Sequence, residues 1–419
     1  KIWGTLGEGS QTIFHDLLAI DSPEAALIKE ADALYSKGSR LASELGGVVE
    51  KIWGSLTKSG DATSLRCTYQ LAECLRPLML DIPKDTPIIA THSLVGLAAV
   101  ACGFTNVINL VIDNYAQWFV VVPGAVNLVQ GPTNYHQLSK MGIPEADIRL
   151  AGHWCPKDMV DNIDADCQTR IQRRADKKPL RLLIPVGGAG AQRKFVTKFL
   201  LALKPEILAG NVQVMLNAGD HKHMKKAFLE TLSSMGISES SLSPTTGMQI
   251  VNSIDGVRNF CTRLRGGAEP FKGVTLFAFD DYFPAVATTD LLSRVTDVLC
   301  AKPSELAFYP VPKLNIRRVG DHEAYSALRS SEAGDGSLEV READEAVEWV
   351  QMMRERAGIL DTMNTCIINN AKQGIYDGCK VAVKLAHQMA GYTSATPASP
   401  PTVTAPPPEA SKSDVAAAA

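Results

Sequence analysis

The sequence lacks the features that mark several specialised classes of protein. Its nine cysteines form no Cys-X-X-Cys pair and no run with histidine, so neither a zinc site nor a disulfide framework is predicted; buried thiols in a reducing compartment are expected. Charge of one sign is not in excess either. The 42 Lys and Arg residues stand against 45 Asp and Glu residues, a net charge of −3, which argues against nucleic acid as a partner.

Long hydrophobic runs are also missing. The most apolar stretch, 94–112, is interrupted by Asn106 and Asn109 and falls short of the about 20 apolar residues that span a bilayer. No signal peptide is visible, although the sequence begins at Lys1 rather than Met and a targeting segment ahead of it is left open. A cytoplasmic protein is expected, with the surface of a membrane as the alternative location.

Short apolar runs rich in Val and Ile alternate with helix-period segments along most of the chain. Continuous apolar runs are typical of strands that are buried on both faces of a parallel sheet. They predict strands near 87–91, 106–113, 125–129, 148–151, 180–186, 212–217, 248–251, 274–279 and 298–301. Two consecutive β/α series predict an α/β protein with two doubly wound, Rossmann-like domains that face each other across a cleft.

This order of elements sets the predicted domain boundaries. Residues 1–163 form the N-terminal domain, 164–179 a polar linker, 180–341 the C-terminal domain, and 342–391 a set of amphipathic helices. From 392 to 419 the sequence is mostly Pro, Ala, Ser and Thr. Because such a segment buries too little apolar surface to offset its chain entropy, a disordered tail is predicted.

The most informative segment is a glycine-rich turn between a predicted strand and a helix. Glycines let backbone N–H groups approach an anion, and the start of the helix adds a partial positive charge. Arg193, Lys194 and Lys198 crowd the first two helical turns, where cations are disfavoured by about 0.3–1 kcal/mol each, and a bound diphosphate would remove that conflict. A tight turn with solvated basic side chains is the alternative. The residues predicted to bind the diphosphate are Gly187, Gly188, Ala189, Gly190, Ala191, Gln192 and Arg193.

A second segment follows the last predicted strand, on the carboxyl side where ligands of α/β sheets bind. It begins with Lys302; Ser304 suits a helix N-cap, and Glu305 offers a carboxylate to a ribose diol. A favourable anion in the first helical turn is the alternative role of Glu305. Further along, His322 and Glu323 stand where another loop enters a helix. Together with the glycine-rich turn, these segments predict a nucleotide-diphosphate site.

In the first half of the chain, polar side chains follow two predicted strands. His92 follows the first strand and Asp113 ends the second. A histidine at such a place serves as a base near neutral pH, and a structural histidine is the alternative. The run 118–123 is either part of the core or a strip that contacts an acceptor or a membrane. His221 and His223 have no carboxylate or cysteine at ligand spacing, so no metal site is predicted.

The order and spacing of these segments resemble the two-domain GT-B glycosyltransferases, especially monogalactosyldiacylglycerol synthase and the N-acetylglucosaminyltransferase that makes lipid II. The resemblance covers most of residues 1–390. It implies that the glycine-rich turn faces the donor diphosphate, that the segment from Lys302 to Glu305 holds uracil and ribose with Glu305 on the ribose, and that His322 and Glu323 lie near the donor sugar.

On the acceptor side the resemblance is less complete. Members of the family usually carry a histidine base in an N-terminal glycine loop, and here Ser10 and Gln11 stand at that place, with His15 one turn further along. Asp113 and Trp118 fall where members with lipid acceptors have an Asp and a downstream Trp. Either His92 or Asp113 would then take the proton from the acceptor, or transfer is lost.

The resemblance therefore implies a metal-independent glycosyltransferase. A UDP-sugar is the donor substrate, no further cofactor is needed, and the acceptor is a lipid-linked or small hydroxyl compound. Two rival functions remain open: a non-hydrolysing UDP-sugar 2-epimerase, which shares this architecture, and a catalytically inactive protein that binds nucleotide-sugars.

Overall fold

The structure is a computed structural model of the 419-residue chain. It describes residues 5, 12–17, 19–45, 49, 52, 62–187, 190–269, 273–356 and 358–391. The tail predicted for 392–419 and the N-terminal glycine loop around Ser10 lie outside the described residues.

Each of the predicted apolar runs forms a strand. The strands are β1 Ile88–Ala90, β2 Val107–Leu110, β3 Val126–Val129, β4 Ile148–Leu150, β5 Leu180–Pro185, β6 Val212–Asn217, β7 Met248–Val251, β8 Val274–Phe277, β9 Val298–Ala301 and β10 Lys313–Asn315. Every residue of β2, β5, β8 and β9 is buried, as expected for strands that are covered on both faces.

The sequence did not predict β10, because a lysine opens it and interrupts the apolar pattern. Lys313 is nevertheless only 1% exposed. Its Nζ lies 2.7 Å from Asp335 Oδ1 and donates to the carbonyls of Tyr309 and Val311. A charged group is tolerated in a core when it is paired and hydrogen-bonded in this way, and only the tertiary structure brings these partners together.

Both sheets are entirely parallel. The first has the strand order β1-β2-β3-β4, and the second has the order β10-β9-β5-β6-β8-β7. In the second sheet β6 lies on one side of β5 and β9 on the other, so the strand order reverses between β5 and β9. The prediction of two Rossmann-like α/β domains is confirmed.

Helices cover the faces of both sheets. They are α1 Pro23–Leu45, α2 Ala62–Glu73, α3 Ser93–Ala101, α4 Pro132–Lys140, α5 Lys157–Val160, α6 Ile163–Ala175, α7 Arg193–Leu208, α8 Lys222–Ser234, α9 Ile254–Arg265, α10 Tyr282–Ser293, α11 Ala324–Glu332, α12 Ala343–Glu355, α13 Ile359–Lys372 and α14 Gly378–Met389. One apolar cluster joins the second sheet to α7, α8 and α12, and another joins its opposite face to α9, α10 and α13.

The chain crosses between the domains twice. The stretch 164–179, predicted as a polar linker, is mostly the helix α6, which packs against α13 and buries Cys167 and Arg170 on its inner side. The amphipathic helices predicted for 342–391 are present, but they serve both domains: α12 and α13 pack on the second sheet, and α14 packs on β1 and β2. The two crossings touch where Trp154 and Asp377 form an antiparallel bridge.

Candidate functional site

The candidate site lies where the strand order of the second sheet reverses. Connections from the carboxyl ends of β5 and β9 leave in opposite directions, and ligands of open α/β sheets bind in the crevice between them. The glycine-rich turn leaves β5 and the segment beginning at Lys302 leaves β9. A Cβ placed on Gly187 would lie 2.9 Å from Lys302 Cε, so the two predicted segments meet.

Gly190 has a position in the turn that no other residue fills without strain. Its φ of +62° lies in the left-handed region. A Cβ placed there would lie 2.7 Å from His223 Cε1 and 3.1 Å from His221 Nδ1. The backbone of the turn is therefore held close to its neighbours. Gly188 and Ala189 lie outside the described residues.

Two histidines hold the turn from the β6 side, a role that the sequence analysis missed. His221 Nε2 lies 3.1 Å from the Gly187 carbonyl oxygen, and His223 Nε2 lies 2.9 Å from that of Gly190. Because a carbonyl oxygen only accepts, both rings donate from Nε2. Burial lowers the pKa of His221 although Asp220 is close, which favours the neutral ring. A His-X-His pair that begins four residues after the end of β6 was the available signal.

The contact with His223 also sets the direction of the next backbone N–H. In a trans peptide the N–H points opposite to the carbonyl, so the Ala191 N–H points away from His223 and from β6. Within the described part of the chain this N–H has no acceptor. Gly190 and Gln192, on either side of Ala191, both have left-handed φ values, +62° and +74°. Left-handed residues in such a series direct N–H groups into a concavity that suits an anion.

The helix α7 begins without a side-chain cap. Gln192 is its N-cap residue, but the Nε2 group of Gln192 donates to the Arg317 carbonyl instead. Gln192 and Lys177 are the only non-glycine residues with a positive φ among the described residues. Such strained backbone is typical of ligand sites. The first N–H groups of α7 are therefore left for another partner.

Arg193 and Lys194 turn towards the first domain. Arg193 Nη2 lies 3.0 Å from Glu44 Oε1, and Lys194 Nζ donates to the Glu44 carbonyl. Glu44 belongs to the last turn of α1. The sequence predicted that a diphosphate would offset the positive charge at the start of α7. In the structure a carboxylate of the first domain, Glu44, offsets part of that charge.

Lys302 and Glu323 form an ion pair beside the glycine-rich turn. Glu323 is buried, and its Oε2 also accepts from the backbone N–H groups of Val319, at 2.8 Å, and Gly320, at 3.2 Å. Burial alone would raise the pKa of Glu323, but the Lys302 ammonium and these N–H groups hold that pKa below its ordinary value. Glu323 is therefore a carboxylate that orients Lys302, rather than a group that is open to a sugar.

The other predicted donor-side residues lie on the same side of the sheet. Ser304 precedes a 3-10 helix, Glu305–Phe308, as the N-cap, but its hydroxyl makes no capping hydrogen bond. The side chain of Glu305 lies outside the described part of the structure. His322 is half-buried, and its Nδ1 has no partner among the described residues.

The loop after β2 brings Asp113 to the second domain. Its neighbour Asn114 is buried, and Asn114 Nδ2 donates to the Tyr325 carbonyl over 3.1 Å. The rings of Tyr115 and Tyr325 lie 4.7 Å apart. Because Tyr325 is two residues beyond Glu323, a continuous series of contacts joins the Asp113 loop to Lys302 and the glycine-rich turn.

His92 has a local structural role. It is the N-cap of α3, and its Nδ1 accepts from the Leu94 N–H at 3.2 Å. The run 118–123 is only partly core: Val120, Val121 and Val122 are buried, and Trp118 is half-buried. Phe119 and Pro123 are exposed; Phe119 is 42% exposed, and its ring lies edge-on to His92, with centroids 6.0 Å apart.

A buried histidine fixes the junction of the two domains. His153 Nε2 accepts from Arg329 Nε at 3.3 Å, and its Nδ1 lies 3.2 Å from the Phe308 carbonyl, to which it donates. Burial, aided by the positive charge of Arg329, lowers the pKa of His153 well below its ordinary value. The neutral ring thus ties the first domain to α11 and to the segment after β9.

Among the residues that the structure describes, no group of three or more His, Cys, Asp or Glu side chains is arranged to hold a metal ion. No described helix is both long enough and apolar enough to cross a bilayer.

The two parallel sheets define a two-domain, Rossmann-like α/β protein, with the candidate site where the strand order of the second sheet reverses. The chain belongs to the family of the domain of unknown function DUF6938, whose model matches residues 143–387. A second model, the domain of unknown function DUF6937, matches residues 7–139. A comparison with curated proteins gives no significant match.

Several solved structures have a similar fold at low sequence identity. UDP-GlcNAc 2-epimerase from Neisseria meningitidis bound to UDP-GlcNAc is 13% identical, with a TM-score of 0.49 over 77% of this chain and 82% of that chain. S. aureus MnaA with UDP is 10% identical, with a TM-score of 0.48 over 81% of each chain. The α,α-trehalose 6-phosphate synthase from Burkholderia multivorans is 10% identical, with a TM-score of 0.41 over 80% of this chain and 77% of that chain.

Proposed function

We propose that the chain is a metal-independent glycosyltransferase that takes a UDP-sugar as donor and a lipid-linked or small hydroxyl compound as acceptor. One observation carries the proposal. Where the strand order reverses, the left-handed backbone at Gly190 and Gln192, the uncapped start of α7 and the Lys302 ammonium meet at one crevice. This combination of N–H groups and a cation suits a diphosphate.

The donor half of the site fits the charge that develops during transfer. As the bond between the sugar and the diphosphate breaks, negative charge grows on the diphosphate, and fixed N–H donors stabilise it. His221 and His223 hold two carbonyls of the turn on the β6 side, away from the β9 side where Lys302 lies. Glu305 is proposed to bind the ribose, and His322, whose Nδ1 has no partner among the described residues, the donor sugar.

The acceptor half requires a base. The acceptor oxygen bonds to the anomeric carbon, the electron pair of the broken bond leaves with UDP, and the hydroxyl proton passes to the base. Asp113 suits this role better than His92, because the Nδ1 lone pair of His92 already accepts from the Leu94 N–H. In the neutral ring of His92 the other nitrogen, Nε2, then carries the proton and is a donor rather than a base.

Exposed apolar groups next to each candidate base favour an acceptor with a lipid part. Ile112, which precedes Asp113 in the chain, is 41% exposed, and Phe119, whose ring lies edge-on to His92, is 42% exposed. Together with the resemblance to transferases that use lipid acceptors, this surface supports a lipid-linked hydroxyl compound at the edge of a membrane.

Calorimetric titration with UDP tests the donor site. The double variant Lys302→Met/Glu323→Gln removes the ammonium together with its partner charge, and we expect its affinity for UDP to fall by about tenfold or more. Lys140→Gln, on the exposed end of α4 in the first domain, removes one positive charge away from the site; it is the control and should bind UDP like the wild type. A wild-type protein that does not bind UDP would refute the proposal.

The reaction is tested with UDP-sugars in the presence and absence of acceptors. UDP release that requires an acceptor supports the transferase. Conversion of UDP-GlcNAc to UDP-ManNAc without an acceptor would identify an epimerase instead. Tight UDP binding with no turnover of any UDP-sugar would identify an inactive nucleotide-sugar-binding protein.

A further inference from the structure

A second cavity lies at the amino-terminal edge of the second sheet, opposite the candidate site. It has a volume of about 450 Å³. Its walls are the end of α6, the first residue of β5, the turn before β6, and parts of α12 and α13. Cavities of this size hold small organic ligands, and the proposed transferase activity does not use it.

The lining of this cavity is strongly basic. Two carboxylates, Asp297 and Glu355, face six cations. The six are Arg170, Arg173, Arg174, Lys177, Lys178 and Arg354. Such an excess of one charge inside a concave wall attracts an anion.

Two of the six cations have structural partners. Arg170 donates to the carbonyls of Thr296 and Ser293. Arg173 pairs with Asp297 at 3.2 Å and with Glu269 at 3.1 Å. These two side chains fix the end of α6 against the sheet and are not free for a ligand.

Of the remaining cations, Arg174 and Arg354 pair with carboxylates through Nη2. Arg174 Nη2 lies 3.2 Å from Asp361, and Arg354 Nη2 lies 2.6 Å from Glu355 and 3.6 Å from Glu206. Lys178 lies 3.9 Å from a Glu269 oxygen. Lys177 has no carboxylate within ion-pair distance in the described structure, although its backbone is held at a left-handed φ of +54°.

Three polar atoms in the wall are buried and lack a partner among the described residues. They are Arg174 Nε, Arg354 Nε and Asn364 Oδ1. Asn364 is only 1% exposed, and its amide nitrogen donates to the Leu360 carbonyl, so the oxygen is the open end of the side chain. Buried polar atoms are rarely left unsatisfied in proteins, which points to a ligand with two acceptors and one donor.

We propose that this cavity binds a phosphorylated compound that also carries hydroxyl groups, such as a sugar phosphate. The phosphate oxygens accept from Arg174 Nε and Arg354 Nε, and Lys177 neutralises the remaining charge. A hydroxyl group of the ligand donates to Asn364 Oδ1. This site is separate from the glycine-rich turn, since it lies at the other edge of the same sheet.

Hydrogen exchange with mass spectrometry locates the ligand. Glucose 6-phosphate and inorganic phosphate are the probes, and the full chain is the sample. We expect glucose 6-phosphate to protect amides in 173–180 and 353–364. No protection in these ranges, or protection confined to 187–195, would overturn the proposal.

Variants test the residues. Lys177→Gln changes an exposed side chain that has no ion pair within the described structure, and it is not expected to affect folding. In combination with Arg174→Gln it should weaken glucose 6-phosphate binding by about tenfold or more. Lys140→Gln, which removes one positive charge as Lys177→Gln does, is the control for the single variant. Unchanged affinity in the double variant would refute the site, and equal affinity for the two probes would refute the contact with Asn364.

The test is independent of the proposed function. The variant Lys302→Met/Glu323→Gln should keep wild-type affinity for glucose 6-phosphate in the cavity, even if the protein does not bind UDP. Loss of cavity binding in that variant would show that the probe occupies the donor site, and would overturn the assignment.

Discussion

The ion pair between Lys302 and Glu323 gives the sharpest test of the donor site. The variant Lys302→Met removes the ammonium and leaves a carboxylate that is 5% exposed. Removing one partner of a buried pair typically costs 3–5 kcal/mol. Here the N–H groups of Val319 and Gly320 still donate to Glu323, and Lys302 is 21% exposed, so we expect a loss of about 3 kcal/mol, the lower end of that range.

A double-variant cycle separates the charge from the packing. In Lys302→Met/Glu323→Gln the amide oxygen of the new side chain accepts from the same two N–H groups, and no charge is left buried. We expect this variant to lose only about 1 kcal/mol. The single variant Glu323→Gln completes the cycle, and the coupling is then at least about 2 kcal/mol in magnitude. Urea denaturation followed by circular dichroism measures each free energy of unfolding.

The effect of pH has a definite sign. In the wild type the pKa of Glu323 is held below its ordinary value, so its contribution to stability is present above the unfolded pKa and is lost as the pH falls through the folded pKa. Without the ammonium, burial raises the pKa of Glu323, and the carboxyl group becomes neutral at a higher pH. The stability gap between Lys302→Met and the wild type should therefore narrow from about pH 8 to about pH 5.

Two results would refute this reasoning. A loss below about 1 kcal/mol in Lys302→Met would mean that the pair is solvated and gives little orientation to Lys302. A gap that is constant over the same pH range would mean that the loss comes from packing rather than from the unpaired carboxylate.

Two more substitutions test the turn and the core. Gly190→Ala adds about 1–2 kcal/mol of left-handed strain and places a methyl group 2.7 Å from His223 Cε1, so the affinity for UDP measured by calorimetry should fall. Gly142→Ala is the control, because Gly142 also has a left-handed φ of +89° but no atom lies within 4 Å of its added Cβ. This variant should leave the affinity for UDP unchanged. Tyr376→Phe removes the 2.8 Å hydrogen bond to Asp335 Oδ2, between two side chains that are each 1% exposed. Urea denaturation should show that the free energy of unfolding falls by about 1–3 kcal/mol. An unchanged denaturation midpoint would contradict the role of this bond.

The sequence was sufficient to predict most of the fold. Apolar runs such as those of β2 and β9 are buried on both faces, and burial on both faces is what leaves a continuous run in the sequence. The strand β10 was not predictable in the same way, because Lys313 is compatible with the core only when Asp335 is beside it. Asp335 lies well beyond Lys313 in the sequence, and no local pattern predicts that the two side chains pair.

The same division holds for the candidate site. Gly187 and Gly190 predict a turn at the end of a strand, and the apolar pattern predicts that the Lys302 segment follows another strand. Their proximity depends on the strand order, which places β9 rather than β8 beside β5. Glu323 shows the limit of sequence reasoning: it was predicted to lie near the donor sugar, and the structure commits its two oxygens to Lys302 and to two backbone N–H groups.

The sequence by itself determined which segments are strands and helices and which turn is rich in glycine, since these depend on periodicity and on backbone freedom over a few neighbouring residues. Only the tertiary structure decided which charges neutralise one another, which carbonyls the histidines hold, and which residues from the two domains meet. Those contacts depend on distances between parts of the chain that are far apart in sequence, and periodicity contains no information about them.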